Sequence, residues 1–245
     1  KSELGANVLD VERHILDLVY HHVSLPTPAP IYYEERGLIV YPLLKGRPLL
    51  RETLRGMAAE QQRELAVQLG EFLKELHTLP TGNVSWELPP TLAPVTHDRW
   101  VDIRQRCRDM AYPLLLQHQV EWAEGLFETA LNGPEFFDYT PSLIHGDLAP
   151  YHILYAPEGH HLSGVLDFGV AGLGDPATDI GNLITAYGET WVSAMEATYP
   201  ALQAYLPRAR FYAQAIELHW VVLGLETGEA FWFTAHLAGA RDIGP

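Results

Sequence analysis

Hydrophobic residues recur at helical spacing in the first part of the chain and in short runs after it. Over residues 6–20, apolar side chains fall three and four positions apart, which predicts a helix with one buried face, and Asn7 is placed to cap its start. A proline-rich break follows at 26–30. Two apolar runs, 31–34 and 38–44, then flank a Glu-Arg-Gly turn, and this pattern predicts a β-hairpin.

The middle of the chain has a helical pattern throughout. Residues 61–77 carry leucine and phenylalanine on one helical face, which predicts a deeply packed helix that ends near His77. A loop rich in proline and threonine occupies 80–94. Helical patterns return near 97–111 and 113–131, with breaks at a proline before the second and at an Asn-Gly-Pro sequence after it.

The pattern changes at Ser142. A short apolar run leads into a polar loop, and residues 152–155 and 164–168 then predict two strands joined by a Pro-Glu-Gly turn. An Asp-Pro pair that begins at Asp175 has the form of a helix start, and the remainder to residue 237 is mostly helical. Together these elements predict an α+β fold with a helical majority.

Composition limits the kinds of protein that the chain can be. It has 245 residues, 47% of them hydrophobic, and no apolar stretch near the roughly 20 residues that a membrane span needs. Its single cysteine, Cys107, excludes an internal disulfide. We therefore expect a soluble, cytoplasmic protein. The formal charge of -15 argues against nucleic-acid or anionic-membrane binding and favours a cationic ligand, although solubility alone also explains such a charge.

Two carboxylates and an imidazole lie close together around the predicted strands. Asp147 follows the first short run, His152 comes five positions later, and Asp167 lies near the end of the returning strand. A hairpin of this length brings Asp167 back beside the start of its partner strand. One carboxylate can then face a reacting hydroxyl while the other, with His152, holds a divalent cation, which is the division of labour that phosphoryl transfer needs.

Three segments, in order, resemble one known family. Residues 143–155, which read LIHGDLAPYHILY, are similar to the catalytic loop of aminoglycoside phosphotransferases, a branch of the protein-kinase-like fold. The sequences GVLDFG at 164–169 and GDPATD at 174–179 resemble the segments that follow it. The resemblance implies that Asp147 is the catalytic base or orienting carboxylate, that Asp167 is the main metal ligand, and that the acid at 179 supports the catalytic loop.

His152 departs from the common pattern of the family, which has asparagine five residues after the catalytic aspartate. An imidazole suits Mn²⁺ better than Mg²⁺, which prefers oxygen ligands, so Mg²⁺ is expected and Mn²⁺ is an alternative. Kinases of macrolides and of the 2''-hydroxyl of aminoglycosides often have histidine here. The resemblance therefore favours that branch.

The resemblance also implies two lobes with a nucleoside triphosphate between them. The segment VYPLLKG at 40–46 is similar to the connection between the lobes, where Tyr41, Leu43 and Leu44 would meet the nucleotide base. Glu12 matches the helical glutamate that pairs with a nucleotide-binding lysine. That lysine and the preceding glycine-rich loop are not in this chain, so we expect it to begin partway through the small lobe, with residues 1–45 as the remainder of that lobe and residues 46–245 as the helical lobe.

Late helices of the family wall the acceptor site. Three acidic residues here, Glu217, Glu226 and Glu229, are equally well explained as acceptor contacts or as solvated helical positions. The aromatic residues of the same region are more often found in a core than in a sugar-stacking surface. They are Trp220, Phe231, Trp232 and Phe233.

The sequence thus predicts a phosphotransferase that moves the γ-phosphate of ATP or GTP to a hydroxyl of a small, cationic molecule, an aminoglycoside or macrolide antibiotic. Two alternatives stay open. One keeps the chemistry and changes the acceptor to a metabolite such as choline, homoserine or a fructosamine. The other is a degenerate kinase that binds ligands without catalysis, which the missing lysine motivates.

Overall fold

The computed structural model describes residues 3–29, 31–33, 38–81 and 88–229. The helices are α1 (Glu3–Tyr20), α2 (Arg51–Arg55), α3 (Ala59–His77), α4 (His97–Arg106), α5 (Gln117–Leu131), α6 (Ala177–Tyr187), α7 (Glu189–Val192) and α8 (Leu202–Thr227). A π-helical turn, Cys107–Ala111, extends α4. Short 3₁₀ turns are Tyr112–Leu114, Pro134–Phe137, Pro150–His152 and Ser193–Ala197.

The strands are short and pair in small antiparallel sheets. They are β1 (Ile31–Tyr33), β2 (Leu38–Val40), β3 (Arg47–Pro48), β4 (Ser142–Ile144), β5 (Ile153–Ala156), β6 (His161–Val165) and β7 (Gly172–Gly174). In the described residues, β1 pairs with β2, β4 pairs with β7, and β5 lies between β3 and β6. The last two arrangements place the loop after β4 beside the turn that follows β6.

The core is helical, with α3 near its centre. The face of α3 that carries leucine and phenylalanine is fully buried, as its spacing predicts. Helices α6 and α8 pack closely because Gly181 has no side chain: a Cβ atom there would lie 2.9 Å from the Ala209 carbonyl oxygen and 2.9 Å from the Tyr212 Cβ. This close packing fixes α6, whose first turn faces the loop after β4. No described helix is long and apolar enough to cross a membrane.

The α+β fold with a helical majority is confirmed, and several boundaries differ from the sequence prediction. Helix α1 begins at Glu3, so Asn7 lies inside it and does not cap its start. The hairpin of β1 and β2 forms, but its second strand ends at Val40, and the segment that follows is a loop. The helix predicted over 113–131 begins only at Gln117, since a 3₁₀ turn and two extended residues precede it.

The strand predicted over 164–168 forms, but it lies earlier in the chain, at His161–Val165. Pairing with β5 ends at Val165, opposite Ile153, and one further backbone bond joins the Leu166 N–H to the His152 carbonyl at 2.8 Å. Asp167 then takes a left-handed conformation, with φ of 65°. A strand residue cannot adopt that conformation, and the departure from the ladder turns Asp167 out of the sheet.

Candidate active site

The loop after β4 is held from behind by one buried carboxylate. Asp179, in the first turn of α6, is fully buried and accepts the backbone N–H groups of His145 at 2.9 Å and Gly146 at 2.8 Å. Gly146 has a φ of 83°, which favours glycine, and its carbonyl accepts the Asn182 amide at 3.3 Å. Both residues that precede Asp147 are therefore fixed by α6.

A second layer fixes the Asp179 carboxylate itself. His77, at the end of α3, donates from Nε2 to Asp179 Oδ2 at 3.0 Å, and the Tyr199 hydroxyl lies 2.9 Å from His77 Nδ1. Burial alone raises the pKa of Asp179, but the hydrogen bond from His77 and the backbone N–H of His145 outweigh burial and hold that pKa below its ordinary value. The carboxylate is thus an anion whose oxygens are fully engaged.

His145 orients the loop in a single tautomer. Its Nε2–H donates to the Leu166 carbonyl at 2.9 Å, and its Nδ1 accepts the Asp147 N–H at 3.3 Å. Complete burial lowers the pKa of His145, so the imidazole is neutral and can make both bonds. The ring also contacts Phe168, with 4.7 Å between ring centroids. His145 thereby joins the loop that carries Asp147 to the segment that carries Asp167.

The front of the loop brings together the three residues that the sequence predicts. His152 Nδ1 lies 2.8 Å from the Asp147 carbonyl oxygen and 4.0 Å from Asp147 Oδ2, while its Nε2 lies 3.3 Å from Asp167 Oδ2. The Gly169 N–H donates to the other oxygen of Asp167, at 3.3 Å. The side chain of Asp147 is 31% exposed and that of Asp167 is 59% exposed. The carboxylates therefore face solvent from a fixed backbone.

A cation fits between His152 and Asp167. A carbonyl oxygen only accepts, so His152 Nδ1 carries a proton, and Nε2 of the neutral ring points a lone pair at a carboxylate oxygen. A lone pair and a carboxylate oxygen repel each other, so this contact needs either a proton on the imidazole or a cation between the two atoms. Burial lowers the pKa of His152, but the bond to Asp167 and the contacts with Asp147 outweigh it and raise the pKa, which supplies that charge as a proton.

A metal ion supplies the same charge. Adjacent ligands of an octahedral ion at about 2.1 Å lie about 3 Å apart, and the two atoms here are 3.3 Å apart. No group of three or more histidine, cysteine or acidic residues within the described ranges is arranged to hold a metal. His152 and Asp167 therefore fit an ion that takes its other ligands from water and a bound phosphate.

The residues predicted to bind nucleotide lie on the same side of the molecule as Asp167. Burial raises the pKa of Glu12, and the negative charge of Asp167 raises it further, so Glu12 of α1 lies near Asp167. The same two carboxylates, after burial, raise the pKa of Tyr41. Tyr41, Leu43 and Leu44 lie in the loop after β2, where Leu43 is 88% exposed. Their contact with a nucleotide stays a prediction.

A small pocket lies beside Asp147. Helix α8 contributes His219 and Trp220 to the lining of this pocket, and the loop before α4 contributes Leu92. Trp220 is half-buried at the pocket, not in the core where the sequence reading favours it. The sequence prediction missed His219. The only indication of His219 in the sequence is that a histidine precedes a tryptophan in an apolar helix.

Acidic residues of α8 differ in environment. Glu217 is buried, with 9% of its surface exposed, so the solvated alternative is wrong for it. Burial raises the pKa of Tyr151 to about 12, together with the negative charges of Asp147, Asp167 and Glu217. Tyr151 and Glu217 therefore lie in the same cleft. Tyr151 was also missed from the sequence, although it lies inside the polar loop.

The two other acidic residues, Glu226 and Glu229, are not among the residues that line the pocket beside Asp147. Glu226 forms an ion pair with Arg106 of α4, and Glu229 is exposed beyond the end of α8, which is at Thr227. The predicted aromatic residues Phe231, Trp232 and Phe233 lie outside the described residues.

Comparisons with known proteins agree with this arrangement. A family model described as the phosphotransferase enzyme family matches residues 5–212. Among curated proteins, the uncharacterized protein YcbJ of Bacillus subtilis (strain 168) is 28% identical over 169 residues, which are 62% of this chain and 50% of that protein. The chain thus spans about half the length of the curated relative that it matches.

Solved structures share the fold over nearly the whole chain. The GDP complex of wild-type aminoglycoside 2'-phosphotransferase-IIIa is 25% identical with a TM-score of 0.83, and the match covers 99% of this chain and 83% of that chain. The GDP and kanamycin complex of APH(2'')-IIIa is 24% identical with a TM-score of 0.82, covering 99% and 84%. Macrolide 2'-phosphotransferase MphH from Brachybacterium faecium is 21% identical with a TM-score of 0.67, covering 98% and 80%.

Proposed function

The chain belongs to the phosphotransferase enzyme family, and from that premise we propose that it transfers the γ-phosphate of a nucleoside triphosphate to a hydroxyl of an aminoglycoside or macrolide antibiotic. One observation carries the proposal. The exposed carboxylate of Asp147 stands on a loop whose preceding backbone N–H groups are held by buried Asp179, beside the His152–Asp167 pair. That arrangement separates an acceptor-orienting carboxylate from a cation-binding pair.

The nucleotide would bind between α1, the loop after β2 and Asp167. We assign residues 1–45 to a nucleotide-binding lobe and residues 46–245 to the lobe that binds the acceptor. Tyr41, Leu43 and Leu44 follow β2 without strand pairing, which leaves an extended segment for the base of ATP or GTP. Glu12 faces the same space. The GDP complexes of structural relatives support a nucleotide as a ligand.

A divalent cation, Mg²⁺ or Mn²⁺, would be held by His152 Nε2 and Asp167 Oδ2 and would neutralise charge on the phosphates. His152 keeps its Nδ1 proton on the Asp147 carbonyl, so its Nε2 lone pair is directed at the ion. Asp147 orients the acceptor hydroxyl and accepts its proton as the oxygen attacks the γ-phosphorus. The bond from that phosphorus to the bridging oxygen breaks, and the nucleoside diphosphate leaves.

The acceptor would lie against α8 and Tyr151. Glu217 brings a carboxylate that is largely removed from water to the cleft, and the chain as a whole has a formal charge of -15. Both attract the ammonium groups of an aminoglycoside or the amino sugar of a macrolide. Trp220 and Tyr151 present rings on which a sugar can pack. The kanamycin complex of a structural relative supports this class of acceptor.

The test is release of nucleoside diphosphate by the full reading frame, with ATP and GTP in turn, against aminoglycosides and macrolides, in Mg²⁺ and in Mn²⁺. We expect antibiotic-dependent release that falls about a thousandfold in Asp147→Ala, since general-base and orienting groups contribute on that order. Asp98→Ala is the matched control, because the Asp98 side chain is fully exposed on α4. It should retain full turnover.

The other outcomes discriminate among the alternatives. Unchanged turnover in Asp147→Ala would remove the role assigned to that carboxylate. Nucleotide binding without stimulation by any antibiotic would favour a metabolite kinase, and release on adding choline, homoserine or a fructosamine would identify it. Absence of nucleotide binding would make the protein a degenerate member of the family that does not transfer phosphate.

A further inference from the structure

A groove of about 480 Å³ lies between α5 and the first half of α8. Its floor is apolar and largely aromatic. The floor residues are Trp122, Leu126, Ala130, Phe136 and Phe211. Ligand sites for drug-sized molecules have volumes of about 300–1,000 Å³ and apolar linings of this kind. In size and lining, the groove meets the requirements of a small-molecule site.

The groove is separate from the cleft that contains Asp147. Helix α8 lines the groove with residues between Pro207 and Gln214, whereas it lines the Asp147 pocket with Ile216, His219 and Trp220. The two cavities share no lining residue. A ligand in the groove would therefore occupy neither the position proposed for the nucleotide nor the position proposed for the acceptor.

Gly125 is one of the residues that line the groove. It lies in the middle of α5, where glycine is less favourable than every ordinary residue except proline. A Cβ atom at this position would meet no atom of the described residues within 4 Å, so close packing does not require the glycine. Its absence of a side chain instead leaves room for another molecule to approach the helix backbone.

The charged residues at the rim determine which charge a bound molecule should carry. The positive charge of Arg210 is balanced by Glu189, to which Arg210 donates two hydrogen bonds at 2.6 and 2.9 Å. Glu121 accepts the Gln117 amide at 2.9 Å, and no cationic side chain of the described ranges lies within 4 Å of it. The rim thus presents one uncompensated carboxylate above an aromatic floor, and both features attract a cation.

We propose that this groove binds a ring-containing organic cation, with its apolar body on Trp122 and Phe136 and its ammonium group towards Glu121. The site is independent of the phosphotransfer proposal, since it shares no residue with it. It makes the protein a two-site binder of small molecules. Occupancy can be measured in the absence of nucleotide and acceptor.

The test uses three compounds with one alicyclic body: 1-aminoadamantane, 1-adamantanol and 1-adamantanecarboxylate. Their dissociation constants for the full protein are measured by ligand-observed NMR titration. We expect the amine to bind most tightly and the carboxylate most weakly. Gly125→Leu should weaken amine binding at least about tenfold by filling the groove, which corresponds to about 1.4 kcal/mol. Glu121→Gln should weaken it about threefold, as an exposed charge does.

The matched control for charge is Glu158→Gln, which removes an exposed carboxylate in the turn between β5 and β6 and should leave amine binding unchanged. Saturating GDP should also leave it unchanged. Equal amine affinity in the wild type and Gly125→Leu, or no binding of any of the three compounds, would overturn the site. Equal affinity for amine and carboxylate would overturn its selectivity for cations. Thermal unfolding of Gly125→Leu at or above the wild-type temperature shows that the variant is folded.

Discussion

The two faces of the loop after β4 have opposite chemistry. On the inner face, Asp179 is completely buried and its oxygens accept bonds from His77, His145 and Gly146. On the outer face, Asp147 and Asp167 are partly exposed, and their oxygens have few protein partners. Asp179 comes 12 residues after Asp167 along the chain and 32 after Asp147. The same residue type serves as an internal anchor on one face and as a solvent-facing group on the other.

The difference separates stability from chemistry. A buried carboxylate costs a great deal of free energy unless every oxygen is paired, so Asp179 can hold a backbone but cannot receive a substrate. An exposed carboxylate contributes little to folding and stays available to a cation or a hydroxyl. The loop therefore gains a rigid position for Asp147 from buried groups behind it.

The largest expected effect on stability comes from the inner face. Asp179→Ala leaves two buried backbone N–H groups and the His77 ring without their acceptor, and removal of one partner from such a network costs about 3–5 kcal/mol. Asp167→Ala removes a group that is 59% exposed, and should change the free energy of unfolding by less than about 1 kcal/mol. Urea unfolding monitored by tryptophan fluorescence measures both.

Asp179→Asn sharpens this comparison because it keeps the size of the side chain and removes the charge. The free energy of unfolding of Asp179→Asn should lie between those of the wild type and Asp179→Ala. The amide oxygen can replace one carboxylate acceptor, but the NH₂ group faces another donor. Similar free energies of unfolding for Asp179→Ala and Asp167→Ala would show that the two faces do not differ as the hydrogen bonds indicate.

Much of the outer face could be predicted from the sequence. The spacing of Asp147, His152 and Asp167 predicts their convergence, because a hairpin of that length has few ways to fold. The strand assigned to Asp167 was wrong, however, since its left-handed backbone has no signal in a non-glycine residue. Alternation of apolar and polar residues reports which face is buried and says nothing of where a ladder ends.

The inner face is harder to predict from local pattern. His77 ends a helix that the sequence predicts well, and its packing was expected, but its bonds to Asp179 and Tyr199 join residues more than 100 positions apart. The buried position of Glu217 was left open for the same reason. Such pairings depend on how α3, α6 and α8 cross, and helical periodicity leaves those crossings undetermined.

His219 tests an intermediate case, a buried polar group that is not fully paired. Its Nδ1 is buried without a hydrogen-bond partner among the described residues. Burial, with the charges of Arg99 and Arg106, lowers the pKa of His219 from 6.5 to about 4. Because the folded pKa lies below the unfolded one, the stabilising contribution is complete above pH 6.5 and is lost as the pH falls to about 4. That loss is about 3 kcal/mol.

The measurement is the difference in the free energy of unfolding between the wild type and His219→Gln at pH 7.5, 5.5 and 4. The wild type should lose stability relative to the variant over this interval. His118→Gln, at an exposed position of α5, is the matched control and should run parallel to the wild type. A constant difference between the wild type and His219→Gln would mean that the His219 ring is solvated in the folded protein.

The smallest effect is expected at a surface ion cluster, which makes the contrast with Asp179 quantitative. Glu124 bonds Arg108 at 2.6 and 2.9 Å and Arg104 at 2.5 Å, and these arginines with Tyr112 outweigh burial and lower its pKa from 4.5 to about 2. Since the folded pKa is depressed, the contribution is present above pH 4.5 and is lost as the pH falls towards 2. Solvent screening reduces it to about 1 kcal/mol. Glu124→Gln should therefore lower the free energy of unfolding by about 1 kcal/mol at pH 7, and high salt should remove about half of that loss. Glu128→Gln is the control. The Glu128 side chain lies 3.6 Å from Arg104 and is 64% exposed, so its replacement should leave the free energy of unfolding almost unchanged. A cost at Glu124 as large as that of Asp179→Ala would show that solvent exposure does not set the contribution of a carboxylate in this fold.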